Sequence, residues 1–179
     1  FSEVKTQLVP SNNFIEARFI LKENPIINKI EIQSNHIFSD DQIRGRMKNK
    51  AGHILNIKQL KEDLMTIQNA YQERGYDFFE IISAKTVSQN CLIIEVSEGE
   101  VDTIKLSGLK KISPHIVRRE LTNKEGDIFN SYSMAKDQDS LLKLGYFSQV
   151  KQPEILRSEH GDKIHLLYDF TERKNNLLN

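Results

Sequence analysis

Five histidines (His36, His53, His115, His160, His165) and one cysteine (Cys91) are the side chains best able to bind a metal or act as nucleophile in this 179-residue chain. Their spacing supports neither role. The histidines fall on turns and helix starts without ligand spacing. His160 and His165, in "HGDKIH", read as a solvated hairpin turn. One cysteine excludes an internal disulfide and an all-cysteine metal site, and Cys91 opens a strand pattern, where it reads as packing. The acidic pairs Asp40–Asp41 and Glu62–Asp63 read as first-turn charges that suit a helix dipole. No glycine-rich phosphate loop is present. The residues therefore point to no catalysis, no metal and no cofactor. A basic group, Lys110, Lys111, Arg118 and Arg119, could meet an acidic partner or lipid head groups, or RNA in a small α+β tandem-domain protein. Nucleic acid is disfavoured: Lys+Arg and Asp+Glu number 25 each, so there is no basic excess. Nor do aromatics alternate with the basics as base stacking needs.

The remaining candidate chemistry belongs to the backbone. A strand at a sheet edge presents unpaired N–H and C=O groups, which recognise an extended chain whatever its side chains. The stretch "DFFEIISAKTV" (77–87) has neither Pro nor Gly and places apolar groups on both faces. Phe78, Phe79, Glu80, Ile81, Ile82, Ala84 and Lys85 are the candidate edge for a client strand or for self-association. The corresponding stretches "FSEVKTQLVP" (1–10) and "FSQVKQPEIL" (147–156) carry Pro10 and Pro153, which blunt pairing. A groove between the second helix and the sheet edge is a second place for apolar client side chains.

Repeats supply the elements that position these groups. "ARFILKE" (17–23), "LIIEVSE" (92–98) and "LLYDFTE" (166–172) each alternate with period two and close on a glutamate, Glu23, Glu98 or Glu172. The intervals are 98 − 23 = 75 and 172 − 98 = 74 residues. "IINKIEIQSN" (26–35) aligns with "VDTIKLSGL" (101–109), Ser39 with Ser113, Arg44 with Arg118, "AGHILN" (51–56) with "EGDIFN" (125–130), and "ERGYDF" (73–78) with "KLGYFS" (143–148). Ser39 with Gln42 predicts a capping box, and Ser113 with Pro114 a second helix start, giving short helices over 39–49 and 113–122. Asn56 and Asn130 cap longer helices. The first of these carries a one-sided stripe of Ile57, Leu60, Leu64, Ile67 and Tyr71. Gly75 and Gly145 stop them.

Each unit thus reads strand, helix, helix, strand, strand. A right-handed crossover puts both helices on one face of a three-stranded mixed sheet of order 1-3-2. The expected organisation is a terminal hairpin of a preceding unit at 1–24, whole units at 25–99 and 100–172, and a linker at 173–179. Phe1 aligns with Phe147, so the first hairpin would lack its own helices. The joints are Asn24–Pro25, stiffened by proline, and Gly99–Glu100, too short to act as a tether. The start of the second unit is expected near Gly75–Tyr76 or the turn at 86–90. No apolar run is long enough for a membrane-spanning helix.

"ENPIINKIEIQSN", "VRREL…EGDIFN" and "LKLGYFSQV…LLYDFTERKNNLLN" together resemble the polypeptide-transport-associated (POTRA) domains of the BamA-type outer-membrane barrel-assembly superfamily, including its cyanobacterial and plastid relatives. The resemblance covers the whole chain. It implies a periplasmic location, or the plastid equivalent, ahead of the protein's own C-terminal β-barrel. It also implies unfolded outer-membrane proteins and accessory assembly subunits as partners, and no nucleic acid.

Overall fold

The computed structural model describes residues 3–11, 14–158 and 163–174. Phe1, His160 and the tail from Asn175 lie outside the described residues. A hairpin of β1 (Glu3–Ser11) and β2 (Phe14–Lys22) opens the chain. The first repeat follows as β3 (Lys29–Gln33), α1 (Asp40–Arg46), α2 (Ile57–Gln72), β4 (Glu80–Val87) and β5 (Cys91–Ser97). The second is β6 (Glu100–Ser107), α3 (Pro114–Glu120), α4 (Ser131–Lys143), β7 (Phe147–Val150), β8 (Glu154–Arg157) and β9 (Lys163–Glu172). β5 pairs parallel with β3 and antiparallel with β4, the 1-3-2 order expected. In the second repeat β9 pairs parallel with β6 and antiparallel with both β7 and β8. One expected strand is therefore two, separated at Lys151–Pro153, because Pro153 lacks the N–H that would carry the ladder through.

Each repeat has its own core. In the first, alternate strand residues Ile30, Ile32, Leu92, Ile94 and Val96 meet Ile43 of α1 and Ile67 and Tyr71 of α2, so both helices cover one sheet face. The second repeats the arrangement with Ile104, Leu166, Tyr168 and Phe170 against Val117 and Leu141. Buried carboxylates tie the helices to the loops. Asp63 accepts from Lys48 N (2.7 Å) and Asn49 N (3.0 Å), and Asp137, 74 positions on, accepts from Thr122 N (2.9 Å) and Asn123 N (3.4 Å). Asp63 is thus no first-turn helix charge. It lies midway along α2 and binds the N–H groups exposed where α1 ends. Asn49 and Asn123 each exchange two hydrogen bonds with the backbone of the next helix cap, Asn56 and Asn130. Ser39 forms the expected capping box; Ser113 makes no side-chain cap bond, because Ile116 N already donates to the Ser113 carbonyl (3.0 Å).

The glutamates that close the repeated strands have a structural task. Glu98 accepts from His36 N (2.8 Å), Ile37 N (3.1 Å) and the Tyr71 hydroxyl (2.7 Å). Glu172 accepts from Lys110 N (2.8 Å), Lys111 N (2.9 Å) and Ile112 N (2.9 Å). Those amides, Ile112 foremost, hold the Glu172 carboxyl below its ordinary range. A depressed carboxylate contributes stability that is full above the unfolded-state pKa and is lost as pH falls through the folded-state value. Glu172→Gln is therefore expected to lower the midpoint of the second repeat at neutral pH and to flatten its acid limb below about pH 4. Thermal melts followed between about pH 2 and pH 7 check this.

Candidate protein-interaction edges

β4 begins three residues later than the sequence suggests. Phe78 and Phe79 precede it, and neither lies on the edge. Phe79 is buried, with its ring stacked on Tyr71 at 3.8 Å. It takes the place that Phe147 holds in the second repeat: Glu80 opposes Ser97, while Phe147 opposes Glu172. The first repeat therefore carries two extra residues after Tyr76, a shift that aligning "ERGYDF" on "KLGYFS" does not reveal.

Along β4 itself, Ile81 and Ala84 face the core. Ile82 forms a β-bulge between Ile81 and Ser83 and is 55% exposed, so the strand is locally bent there. Glu80 is ion-paired with Arg157 of the second repeat. What stays a regular strand with one neighbour is Ser83–Val87, opposite Glu95–Cys91, with Lys85, Thr86 and Val87 exposed.

Within the two repeats, the other edges each carry an obstruction. At the centre of β6 the outward groups of Ile104 are both taken: its N–H donates to Glu125 (2.9 Å) and its carbonyl accepts from Arg118 (2.8 Å). Arg118 and Glu125 pair with each other at 3.0 Å. Together they imitate the donor and acceptor of an added strand. The Ile104 amide first, and then Arg118, hold the Glu125 carboxyl below its usual range. A groove of about 650 Å³ flanks this edge, lined by Ile104, Leu106, Pro114 and Leu167, beside the first helix of the repeat rather than the second. In β3 the carbonyl of Ile30 accepts from Arg44 (3.1 Å). The edge of β7 and β8 is interrupted at Lys151–Pro153.

The basic group is engaged only at its two arginines. Lys110 and Lys111 face solvent while their amides bind Glu172, Arg118 closes β6, and Arg119 pairs with Glu120 at 3.1 Å.

The joint between the repeats is packed. Gly99 has φ +76, and a Cβ there would meet the Phe78 Cβ at 2.6 Å. Phe78 leaves its own repeat to pack on the second core. Its ring meets Phe129 edge-on at 5.1 Å and lies under the Arg157 guanidinium at 4.8 Å. The helix end at Gly75 abuts the start of α4: Ser131 N donates to the Gly75 carbonyl (2.9 Å) and Asn130 Nδ2 to the Arg74 carbonyl (2.7 Å). Glu100 pairs with Lys163 at 3.2 Å. At the earlier joint, Asn24 Nδ2 donates to the Leu55 carbonyl (2.7 Å) and Leu55 N to the Pro25 carbonyl (2.9 Å).

Comparison with known proteins agrees with this architecture. The family model described as "POTRA: Surface antigen variable number repeat" matches residues 25–99 and 100–173. The fold resembles the N-terminal domain of Omp85 from the thermophilic cyanobacterium Thermosynechococcus elongatus, with a TM-score of 0.86 and 17% identity over 98% of this chain and 78% of that one. The chain is 27% identical over 177 residues to chloroplastic outer envelope protein 80 of Arabidopsis thaliana, covering 92% of this chain and 24% of that protein. It is 25% identical over 140 residues to the outer membrane protein assembly factor BamA of Nitratidesulfovibrio vulgaris, covering 74% of this chain and 18% of that one. It thus spans a quarter or less of these curated relatives. Two consecutive family matches on two consecutive repeats of strand, two helices and returning strands make this chain a member of the POTRA family.

Proposed function

We propose that this chain receives unfolded outer-membrane proteins, or extended segments of accessory subunits, by strand addition at Ser83–Val87, ahead of the protein's own β-barrel. The observation that carries this reading is the contrast between edges. Ser83–Val87 is regular and has one neighbour, whereas β6 is closed by Arg118 and Glu125. Backbone pairing suits clients of varied sequence, since each N–H and C=O is the same in all of them. The bulge at Ile82 and the Glu80–Arg157 pair limit the site to about five residues, consistent with transient holding rather than tight capture. The repeats are the periplasmic portion of an outer-membrane protein, or its plastid intermembrane-space counterpart. RNA binding is the weaker reading, because Arg118 and Arg119 are already paired within the protein.

Proline at Ala84 and at Lys85 samples the two phases of the edge. In one phase the lost N–H points outward and the fold survives; in the other the β5 ladder breaks. The folded variant should bind a denaturant-diluted outer-membrane barrel polypeptide at least about tenfold more weakly, the equivalent of about 1.4 kcal/mol. Unchanged binding by every folded variant would refute the site.

A further inference from the structure

A lysine stands at the centre of the open stretch of β4. The bulge at Ile82 ends that stretch on one side, and Val87, the last residue of the strand, ends it on the other. Ala84 packs on the core, so Ser83, Lys85 and Val87 belong to the helix-free face of the sheet. Lys85 is exposed and, among the described residues, makes no hydrogen bond or ion pair. Ile93 lies directly opposite it on β5, with Cys91 and Glu95 on the diagonals. The carboxylates of this face have partners elsewhere. Glu95 accepts from the Ser83 hydroxyl (3.2 Å), and Glu31, beyond Ile93, is paired with Lys29 at 2.6 Å.

That position decides what the edge can pair with. Two copies of β4 joined about a two-fold axis run antiparallel. Full overlap then places Ser83 opposite Val87, Ala84 opposite Thr86, and Lys85 opposite the second copy's Lys85. Directly opposed residues share a face with Cβ atoms about 4.5–5.5 Å apart, where like charges repel. Sliding by two residues, the smallest step that keeps side chains on their faces, gives no escape. In one direction it leaves only positions 85–87 paired, and in the other it carries the Ile82 bulge into the ladder. A second copy's β8 fares no better. Setting Glu154 opposite Lys85 brings Pro153, which has no N–H, opposite Thr86. A lysine at the centre of an edge is a known guard against such pairing. A separate extended chain is under no such constraint.

We infer that Lys85 sets the partner of the β4 edge: it bars pairing with the β4 of a second copy and favours extended segments that place Asp or Glu opposite it. This deepens the reading of Ser83–Val87 as a pairing edge and rests on it.

The test compares the unaltered chain with Lys85→Thr and Lys85→Glu, exposed changes that should leave the melting temperature nearly unchanged. In sedimentation runs at high concentration, Lys85→Glu should behave as the unaltered chain does, since its central charges also repel. Lys85→Thr should self-associate further, and an equimolar mixture of unaltered chain and Lys85→Glu should form a mixed dimer. Association through any other surface is common to all three proteins and does not alter this ranking. The second arm follows by NMR the binding of short capped peptides of alternating Thr and Val, with Glu, Thr or Lys at the centre. The unaltered edge should bind the Glu peptide about threefold more tightly than the Thr peptide, and the Lys peptide about threefold more weakly. Lys85→Glu should invert that order. Peptides bound equally whatever their central residue would overturn the inference and leave the edge standing. A mixture that associates no more than either parent would also overturn it. Peptides that do not bind at all, with Lys85→Thr sedimenting as the unaltered chain does, would overturn the edge itself and the inference with it.

Discussion

Replacing Gly108 with alanine is expected to unfold the second repeat and leave the first standing. Gly108 has φ +80, and a Cβ built there falls 1.9 Å from the Phe170 carbonyl oxygen, within the partner strand β9. Backbone, unlike a side-chain tip, cannot rotate away, so β6 and β9 must part. The left-handed conformation alone costs a non-glycine residue about 1–2 kcal/mol. Displacing a core strand adds several kcal/mol more. A domain of this size holds only about 4–10 kcal/mol in total. Ser34 stands 74 positions earlier with φ +66, and there the first repeat carries a Cβ. Ser34→Gly should be neutral or mildly stabilising. Hydrogen exchange resolved by repeat separates the outcomes: Gly108→Ala should lose protection at β6 and β9 while β3 and β5 keep theirs. Protection retained throughout would mean that the close approach at Phe170 relaxes freely.

The second large effect is expected at Phe78. Because its ring packs on the second core and not on its own, Phe78→Ala should uncouple the repeats without unfolding either. The ring forfeits an edge-on aromatic pair worth about 0.5–1.5 kcal/mol, a cation contact of about 0.5–1 kcal/mol, and burial of part of its apolar surface. The hydrogen bonds from Ser131 and Asn130 and the Glu80–Arg157 ion pair remain, but these are exposed polar contacts. Spin labels on Lys61 and Lys136 should report one narrow distance distribution in the unaltered chain and a broad one in the variant. Identical distributions would show that Gly99, not Phe78, sets the angle.

The repeat architecture was legible because its signals are local. Period-two alternation marks the strands, Asn56 and Asn130 mark the helix starts, and the glycines at 52, 75, 126 and 145 all take the positive φ that their positions require. What could not be read depends on contacts between elements. "DFFEII" looks like continuous strand, yet Phe79 turns into the core to stack on Tyr71, and Phe78 crosses to the other repeat. No periodicity announces a two-residue insertion whose purpose lies in a neighbour. Arg118 was visible as a charge aligned with Arg44, but its partner, the Ile104 carbonyl, is backbone. Only Glu125, where the first repeat has Ala51, hinted that the two edges differ. In sequence the strand-closing glutamates read only as a repeat marker; their carboxylates bind loop amides 60 or more residues away. Joint stiffness shows the same limit. Pro25 restrains its own linker, whereas the Gly99 joint is held by side chains from both repeats.

On the proposed reading, β4 is the open edge and β6 the closed one. A photo-crosslinking residue placed singly at positions 83–87 and 103–107 tests it, with a denaturant-diluted outer-membrane barrel polypeptide as client. Crosslinks are predicted along 83–87 and not along 103–107, until Arg118→Ala with Glu125→Ala frees Ile104 and brings the second stretch into reach. Crosslinks along 103–107 in the unaltered protein, or none along 83–87, would show that β4 is not the edge that receives clients.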